Sequence, residues 1–297
     1  MAERWLLTGG TGQVGTALSR LDLPEVEIFA PPREALDLSA LPLDLAPLFE
    51  GVTAIISCGA YTAVDKAESE PDLAHSINAV APLRLSAVAA ERGIPIIHVS
   101  TDYVFPADAA GPWSEKDEIG PASIYGLSKL AGEEAIRSSG ARHAIVRTAW
   151  VVSADGHNFV KTMLRIGAQN KVARVVADQR GTPTHAGDLA AALAAIALDF
   201  SKNSQRASGT WHCTNQGETS WHELAVHIFK RAAELGLKIP ETVDAITTAE
   251  YPTPARRPRD SRLDCTKIEK DFGLKLRPWT IAVDEIVTDL AREMKKQ

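Results

Sequence analysis

An α/β fold, built as a Rossmann-like doubly wound parallel sheet with a smaller C-terminal unit, follows from three features of the sequence. Residues 5–8 form an apolar run that ends on Gly9-Gly10-Thr11-Gly12-Gln13-Val14-Gly15, and a helical pattern begins directly behind the glycines. Further short apolar runs at 26–30, 54–57, 94–99 and 144–149 are separated by helical stretches, the alternation that gives parallel strands flanked by helices. After Trp150 the rhythm loosens, as where one sheet finishes and a second unit begins.

In chain order, strand 5–8 leads into helix 13–21, and strands 26–30 and 54–57 precede a long helix at 71–92 with an alanine-rich face. Strand 94–99, helix 124–138 and strand 144–149 continue the pattern. Beyond it the periodicity predicts a helix at 158–167, a strand at 172–177, a long apolar helix at 186–200 and a strand at 209–213. A helix at 218–235 and a closing helix at 281–292 follow, and the Pro-rich stretch 251–258, with Arg256, Arg257 and Arg259 in or beside it, reads as a fixed loop. Residues 1–150 are therefore expected to form an NAD(P)-binding Rossmann domain, completed by about 186–213, with 151–185 and 214–297 mainly a substrate-binding domain.

Composition narrows the function classes. The chain has 297 residues, 45% apolar and 24% charged, enough to bury a core without staples, and no apolar run approaches the roughly 18 residues of a membrane span. The sequence enters its first strand directly after Met1-Ala2, so no signal peptide and a cytoplasmic location are expected. Cys58, Cys213 and Cys265 share no CxxC spacing, and His143, His212, His222 and His227 form no ligand cluster, so no metal site is assigned. A net charge of -6 with scattered Lys and Arg gives no broad basic face, which argues against nucleic acid as a partner.

The glycine loop needs its glycines for a tight turn and for close approach of a pyrophosphate to the amides at a helix N-terminus. Gly9, Gly12 and Gly15, with Gln13 and Val14 between them, are thus candidates for a dinucleotide, although G-x-x-G-x-x-G differs from the G-x-G-x-x-G fingerprint. The second strand runs into Pro31-Pro32-Arg33-Glu34. Arg33 suits the additional phosphate of NADPH, while dual use with NADH stays open. Asp37-Leu38 either caps a following helix or lies near the adenine.

Tyr125 and Lys129, four residues apart, share one helix face. A phenol titrates near pH 10 and a neighbouring ammonium lowers that value, which makes Tyr125 a proton donor to a carbonyl and Lys129 its tuning cation and a holder of the nicotinamide ribose. Ser100 and Thr101 end an apolar strand, where open α/β sheets place their ligands, and either hydroxyl suits a substrate oxygen. Asp102 is read as fixing the loop and Tyr103 as packing on a sugar ring or completing the core. Asp65, Lys66 and Glu68 read as a local salt-linked helix start, His98 as either a core group or a ligand neighbour, and His185 as a helix cap.

Together these segments resemble the dTDP-4-dehydrorhamnose reductases of the extended short-chain dehydrogenase/reductase superfamily. The resemblance is carried by residues 9–15, 60–68, 100–105, 125–129, 147–150, 158–160 and 178–184, and by Arg257-Pro258-Arg259-Asp260-Ser261-Arg262-Leu263, which is similar to the family's Arg-Pro-x-x-Ser-x-Leu. It spans nearly the whole chain. It implies reduction of the C4 keto group of dTDP-4-dehydro-β-L-rhamnose to dTDP-β-L-rhamnose with NADPH or NADH, with Thr101, Tyr125 and Lys129 catalytic. It further implies that Ala60, Tyr61 and Thr62 line the cofactor cleft, that Tyr103, Trp150 and Asn158 face the nucleotide-sugar, and that Arg257 is favoured among the arginines for the diphosphate. Some relatives dimerise around magnesium, so magnesium and a monomer or homodimer enter by resemblance alone. Val152, where relatives often carry tyrosine, and Pro106-Ala107-Asp108 depart from the family pattern and bear on sugar fit rather than on reduction. Two other readings compete. One is a nucleotide-sugar epimerase or dehydratase on the same scaffold; the other is a non-catalytic cofactor-binding subunit, which retention of both Tyr125 and Lys129 disfavours.

Overall fold

The computed structural model describes residues 3–295. Its elements are β1 (Glu3–Thr8), α1 (Gln13–Ser19), β2 (Val26–Phe29), β3 (Ala54–Ser57), α2 (Val64–Ala67), α3 (Pro71–His75), α4 (Ala81–Arg92), β4 (Ile96–Thr101), α5 (Ile124–Ser138), β5 (His143–Thr148) and β6 (Val151–Val152). There follow α6 (Phe159–Gln169), β7 (Val172–Val176), β8 (Arg180–Gly181), β9 (Thr184–His185), α7 (Ala186–Lys202), β10 (Gly209–His212), β11 (Thr219–Ser220), α8 (Trp221–Glu234), β12 (Thr242–Ile246), α9 (Thr266–Phe272) and α10 (Trp279–Met294). Met1, Ala2, Lys296 and Gln297, which fall within the expected domain ranges, lie outside the described residues.

Six strands form a parallel sheet in the order β10-β5-β4-β3-β1-β2. Strand order reverses between β1 and β3, the switch point where open α/β sheets leave a crevice at the carboxyl ends of their strands. One face is sealed by Leu18 of α1 and the apolar stripe of α7, from Leu189 to Phe200, against Leu7, Ile56, Ile97 and Val146. The other is covered by Leu85, Ala89 and Ile136 from α4 and α5, against Leu6, Ile55, Ile96 and Ile145. A separate core joins α6, α8 and α10 to β7 through Val160, Leu224, Ile228, Val283 and Val287.

Several boundaries differ from the sequence reading. The expected strand at 94–99 runs instead through Ile96–Thr101, because β4 keeps pairing with β5 as far as Thr101 opposite Thr148. Ser100 and Thr101 therefore stand on the strand itself. The expected single helix at 71–92 contains a π segment, Ser76–Val80, between α3 and α4. The helix expected at 218–235 begins only at Trp221, since Thr219 and Ser220 pair with β8 and the Ser220 hydroxyl closes a capping box with Glu223. Strand β12, which the sequence did not suggest, pairs in parallel with β7 outside the main sheet. His185 does cap α7, its Nδ1 accepting from the Gly187 and Asp188 amides.

Candidate active site

The glycine turn sits at the switch point. Gly9 takes φ 72° and lies so close to Gly59, beyond β3, that a Cβ on it would stand 2.6 Å from the Gly59 Cα. A Cβ on Gly15 would meet the Gly9 carbonyl oxygen at 2.1 Å, so helix α1 docks on the turn only as glycine. Gly12 caps α1 without a side chain, and no acidic residue occupies the first helical turn. The helix start thus carries no built-in anion or side-chain cap, which fits a pyrophosphate. Gln13 turns away from this crevice: its Oε1 accepts from Ser153 Oγ at 2.9 Å and Asn158 Nδ2 at 3.0 Å. Val14 packs into the core below.

The remaining cofactor candidates lie in the segments that follow β2 and β3. Arg33 is exposed, with one weak partner, Asp37 Oδ2, at 3.3 Å. Asp37 closes a turn through the Ser39 amide and hydroxyl, which hold its carboxyl below the usual range, with smaller help from Arg33. It caps no helix. Leu38 packs directly on Gly59. The segment holding Ala60, Tyr61 and Thr62 is fastened by Asn78, a buried residue of the π segment: Asn78 Oδ1 accepts the Tyr61 amide at 2.8 Å, and its Nδ2 donates to the Tyr61 carbonyl at 3.1 Å and to Ser128 Oγ at 2.9 Å. Through Asn78 the crevice wall is tied to the helix that carries Tyr125 and Lys129.

Helix α5 starts where the Ser123 hydroxyl accepts the Gly126 amide at 3.1 Å. Gly126 and Gly132 let it lie on backbone, since added Cβ atoms would stand 2.3 Å from the Tyr103 carbonyl and 2.1 Å from that of Asn78. Burial pushes the Tyr125 phenol above its ordinary value, and the Thr101 hydroxyl against it opposes the shift. The Tyr103 ring meets Tyr125 edge-on at 5.3 Å. Burial pulls Lys129 down to about 8. The expected lowering of Tyr125 by Lys129 is not seen, because the ammonium points to β4, donating to the Val99 carbonyl at 2.7 Å and approaching His98 Nε2 at 3.2 Å.

Thr101 is buried, its hydroxyl donating to Asp102 Oδ1 at 3.0 Å and accepting the Tyr103 amide at 3.2 Å. Ser100 points elsewhere: its hydroxyl donates to Glu133 at 2.5 Å, within a buried cluster in which Glu133 also takes two bonds from Arg147 and one from Arg137. Of the two hydroxyls weighed for the substrate oxygen, Thr101 is therefore the one beside Tyr125.

The substrate-side residues divide. Arg257 reaches inward, donating to Tyr103 Oη at 3.1 Å and to Asp65 Oδ2 at 2.6 Å, whereas Arg256 pairs with Asp108 at the surface. Asp65 is thus no part of a local helix-start network; only Lys66, paired with Glu70 at 2.8 Å, makes such a link, while Glu68 accepts the Ile124 amide at the start of α5. Trp150, at φ 49°, stacks on Trp221 with centroids 3.5 Å apart and lies over Gly181. Asn158 caps α6 and is spent on Gln13, Ser153 and Asp155, a position that joins the two units rather than one that faces an open sugar site. Lys161 donates to the Ala154 carbonyl.

Sequence reasoning missed Asn78, Trp221 and the environment of His98, since none belongs to a spaced motif. Among the described residues no three or more His, Cys, Asp or Glu side chains converge on a metal-sized site, and no helix is long and apolar enough to cross a membrane.

Comparison with known proteins finds similar sequences and structures. A family model described as the RmlD substrate binding domain matches residues 3–292. A dTDP-4-dehydrorhamnose reductase of Sinorhizobium fredii is 43% identical over 295 residues, covering 98% of this chain and 99% of the relative. The crystal structure of a dTDP-4-dehydrorhamnose reductase from Clostridium acetobutylicum superposes with a TM-score of 0.88 at 38% identity, covering 97% of this chain and 99% of the other. The enzyme of the same name from Bacillus anthracis, solved in complex with NADP, gives 0.86 at 32% identity, covering 97% and 100%.

Proposed function

The chain belongs to the dTDP-4-dehydrorhamnose reductase family, and from that premise we propose that it uses NADPH or NADH to reduce the C4 keto group of dTDP-4-dehydro-β-L-rhamnose, with Tyr125 as proton donor. The observation that carries the reading is the pairing of a phenol kept protonated by burial with the Thr101 hydroxyl, on a helix tied through Asn78 to the segment that follows β3. A carbonyl being reduced needs an acid at its oxygen, and a phenol held above its ordinary pKa remains an acid at neutral pH.

The uncapped amides at the start of α1 and the exposed Arg33 are the groups that would hold the dinucleotide, Arg33 favouring the form with the additional phosphate. When bound, the nicotinamide supplies the hydride. Lys129, with two of its three N–H donors spent on Val99 and His98, keeps one for a ribose hydroxyl. Tyr125 donates to the ketone oxygen, so that charge developing there meets a preorganised donor rather than water, while Thr101, its proton held by Asp102, orients the phenol from beside it. Tyr103 and the stacked Trp150 present aromatic surface to the sugar, and Arg257 offers a guanidinium to the diphosphate.

The test is loss of nicotinamide absorbance with purified protein, enzymatically generated dTDP-4-dehydro-β-L-rhamnose and either coenzyme, with the sugar product identified in the same reaction. Tyr125→Phe is expected to keep coenzyme binding within a few-fold and to lower kcat by about 10²–10⁴-fold, the usual weight of a general acid. Unchanged turnover in this variant rejects the donor assignment.

A further inference from the structure

Below the Tyr125 and Thr101 pair, a line of buried polar side chains runs from the sheet into α5. His98, on β4, is fully buried; its Nε2 lies 3.2 Å from Lys129 Nζ and its Nδ1 lies 3.0 Å from Ser57 Oγ on β3. Ser57 and Lys129 are each 2% exposed. The hydrogen-bond directions follow from chemistry. A lysine ammonium has three donors and no acceptor, so Nε2 must offer its lone pair, and the imidazole proton then sits on Nδ1 and is donated to Ser57. Protonating the ring would set two buried cations 3.2 Å apart. Burial and the nearby ammonium accordingly hold His98 well below the ordinary histidine range.

We propose that His98 is a positioning residue for the reduction: as a neutral imidazole locked by Ser57, it fixes the Lys129 ammonium against β4 so that the remaining N–H faces the coenzyme crevice. This rests on the reductase reading above and deepens it. A proton-conducting role does not fit, because the line ends at Ser57, which is sealed from solvent. The other groups facing Lys129 cannot replace His98. Glu133, one turn further along α5, favours the ammonium electrostatically, but its oxygens are engaged by Ser100, Arg147 and Arg137. The Cys58 thiol is pushed up to about 12 by burial and stays neutral. The Val99 carbonyl fixes one N–H direction only. Two acceptors at a tetrahedral nitrogen leave the remaining donor a restricted arc.

The experiment reads Lys129 directly. Protein carrying ¹³C-labelled lysine is titrated by NMR without coenzyme, with Lys129 assigned from Lys129→Met, and the alkaline limb of kcat/KM is measured in parallel. His98→Leu is expected to move the Lys129 titration down by about one pH unit or more, a tenfold weaker hold on the proton, and to move the alkaline limb with it. His98→Gln, whose amide oxygen can still accept, should recover most of both. Ser57→Ala, a milder change should His98→Leu fail to fold, should move both in the same direction by less. If the titration and the limb stay put in Ser57→Ala and His98→Leu while the wild type turns over, the positioning role is overturned. Absence of turnover in the wild type would instead overturn the reductase reading, with the Lys129 shift in the coenzyme-free protein still deciding the contact.

Discussion

Asp102 is the residue whose physics the sequence least reveals. It is 3% exposed, Oδ1 accepts the Thr101 hydroxyl, and Oδ2 has no hydrogen-bond partner. A half-satisfied buried carboxylate is costly, and burial, only partly offset by Ser261 and Thr101, pushes this carboxyl up to about 6. Because the folded value lies above the unfolded one of about 3.8, the folded state holds the proton more tightly. That contribution to stability is present below about pH 4 and is lost as pH rises through about 6, an effect on the order of 3 kcal/mol at 1.36 kcal/mol per unit. Asp102→Asn does not titrate, so its Tm relative to wild type should climb between pH 4 and pH 7. Thermal melts across that range check this, and a difference independent of pH removes the buried-acid assignment. The sequence located Asp102 in the loop but could not give its protonation, because that depends on which walls exclude water.

At the scale of the element, α5 shows what periodicity can and cannot convey. The Tyr125–Lys129 spacing was legible because a helix repeats nearly every four residues, whereas the Ser123 cap emerged only with the structure. The surface on which the helix rests was not legible. It is the backbone of Asn78 in a π segment and of Tyr103 in the turn after β4, and Gly132 and Gly126 permit that approach. Strand β12 escaped notice for a related reason: four of its five residues are exposed or half-buried, so no clear apolar alternation marks it. Gly132→Ala tests the close packing. In a free helix the change would gain about 1 kcal/mol, but here a Cβ 2.1 Å from the Asn78 carbonyl forces the helix outward, at an overpacking cost of about 1–3 kcal/mol. We expect a lower Tm, and a loss in kcat larger than the loss in coenzyme affinity, because Tyr125 and Lys129 ride on the displaced element. Calorimetry beside steady-state kinetics measures both; a variant as stable and as fast as wild type would show that α5 has slack.

At the scale of the whole molecule, segments beyond β5 are tied by side chains to the loops that follow the first strands of the sheet. Gln13, in the glycine turn, is held by Ser153 and Asn158 from beyond β5, while Arg20, the C-cap of α1, pairs with Asp155. On the opposite side Arg257, from the Pro-rich segment, crosses to Asp65 and Tyr103. Asp65 is there the carboxylate partner of the guanidinium, and a diphosphate would be a stronger bidentate partner than one carboxylate. The pair is partly solvated, with side chains 28% and 39% exposed, so breaking it should cost the fold less than about 1 kcal/mol. Arg257→Ala is therefore expected to fold and to bind NADPH within a few-fold of wild type. It should weaken nucleotide-sugar binding by roughly tenfold or more, the loss of a charge-assisted contact worth about 1.5–3 kcal/mol. Calorimetric titration with dTDP-β-L-rhamnose and, separately, with NADPH distinguishes the two ligands. Weakening of NADPH alone would place Arg257 on the coenzyme and leave the diphosphate to another cation, whereas selective loss of the nucleotide-sugar means that a residue from outside the Rossmann sheet decides what the sheet's crevice is given to reduce.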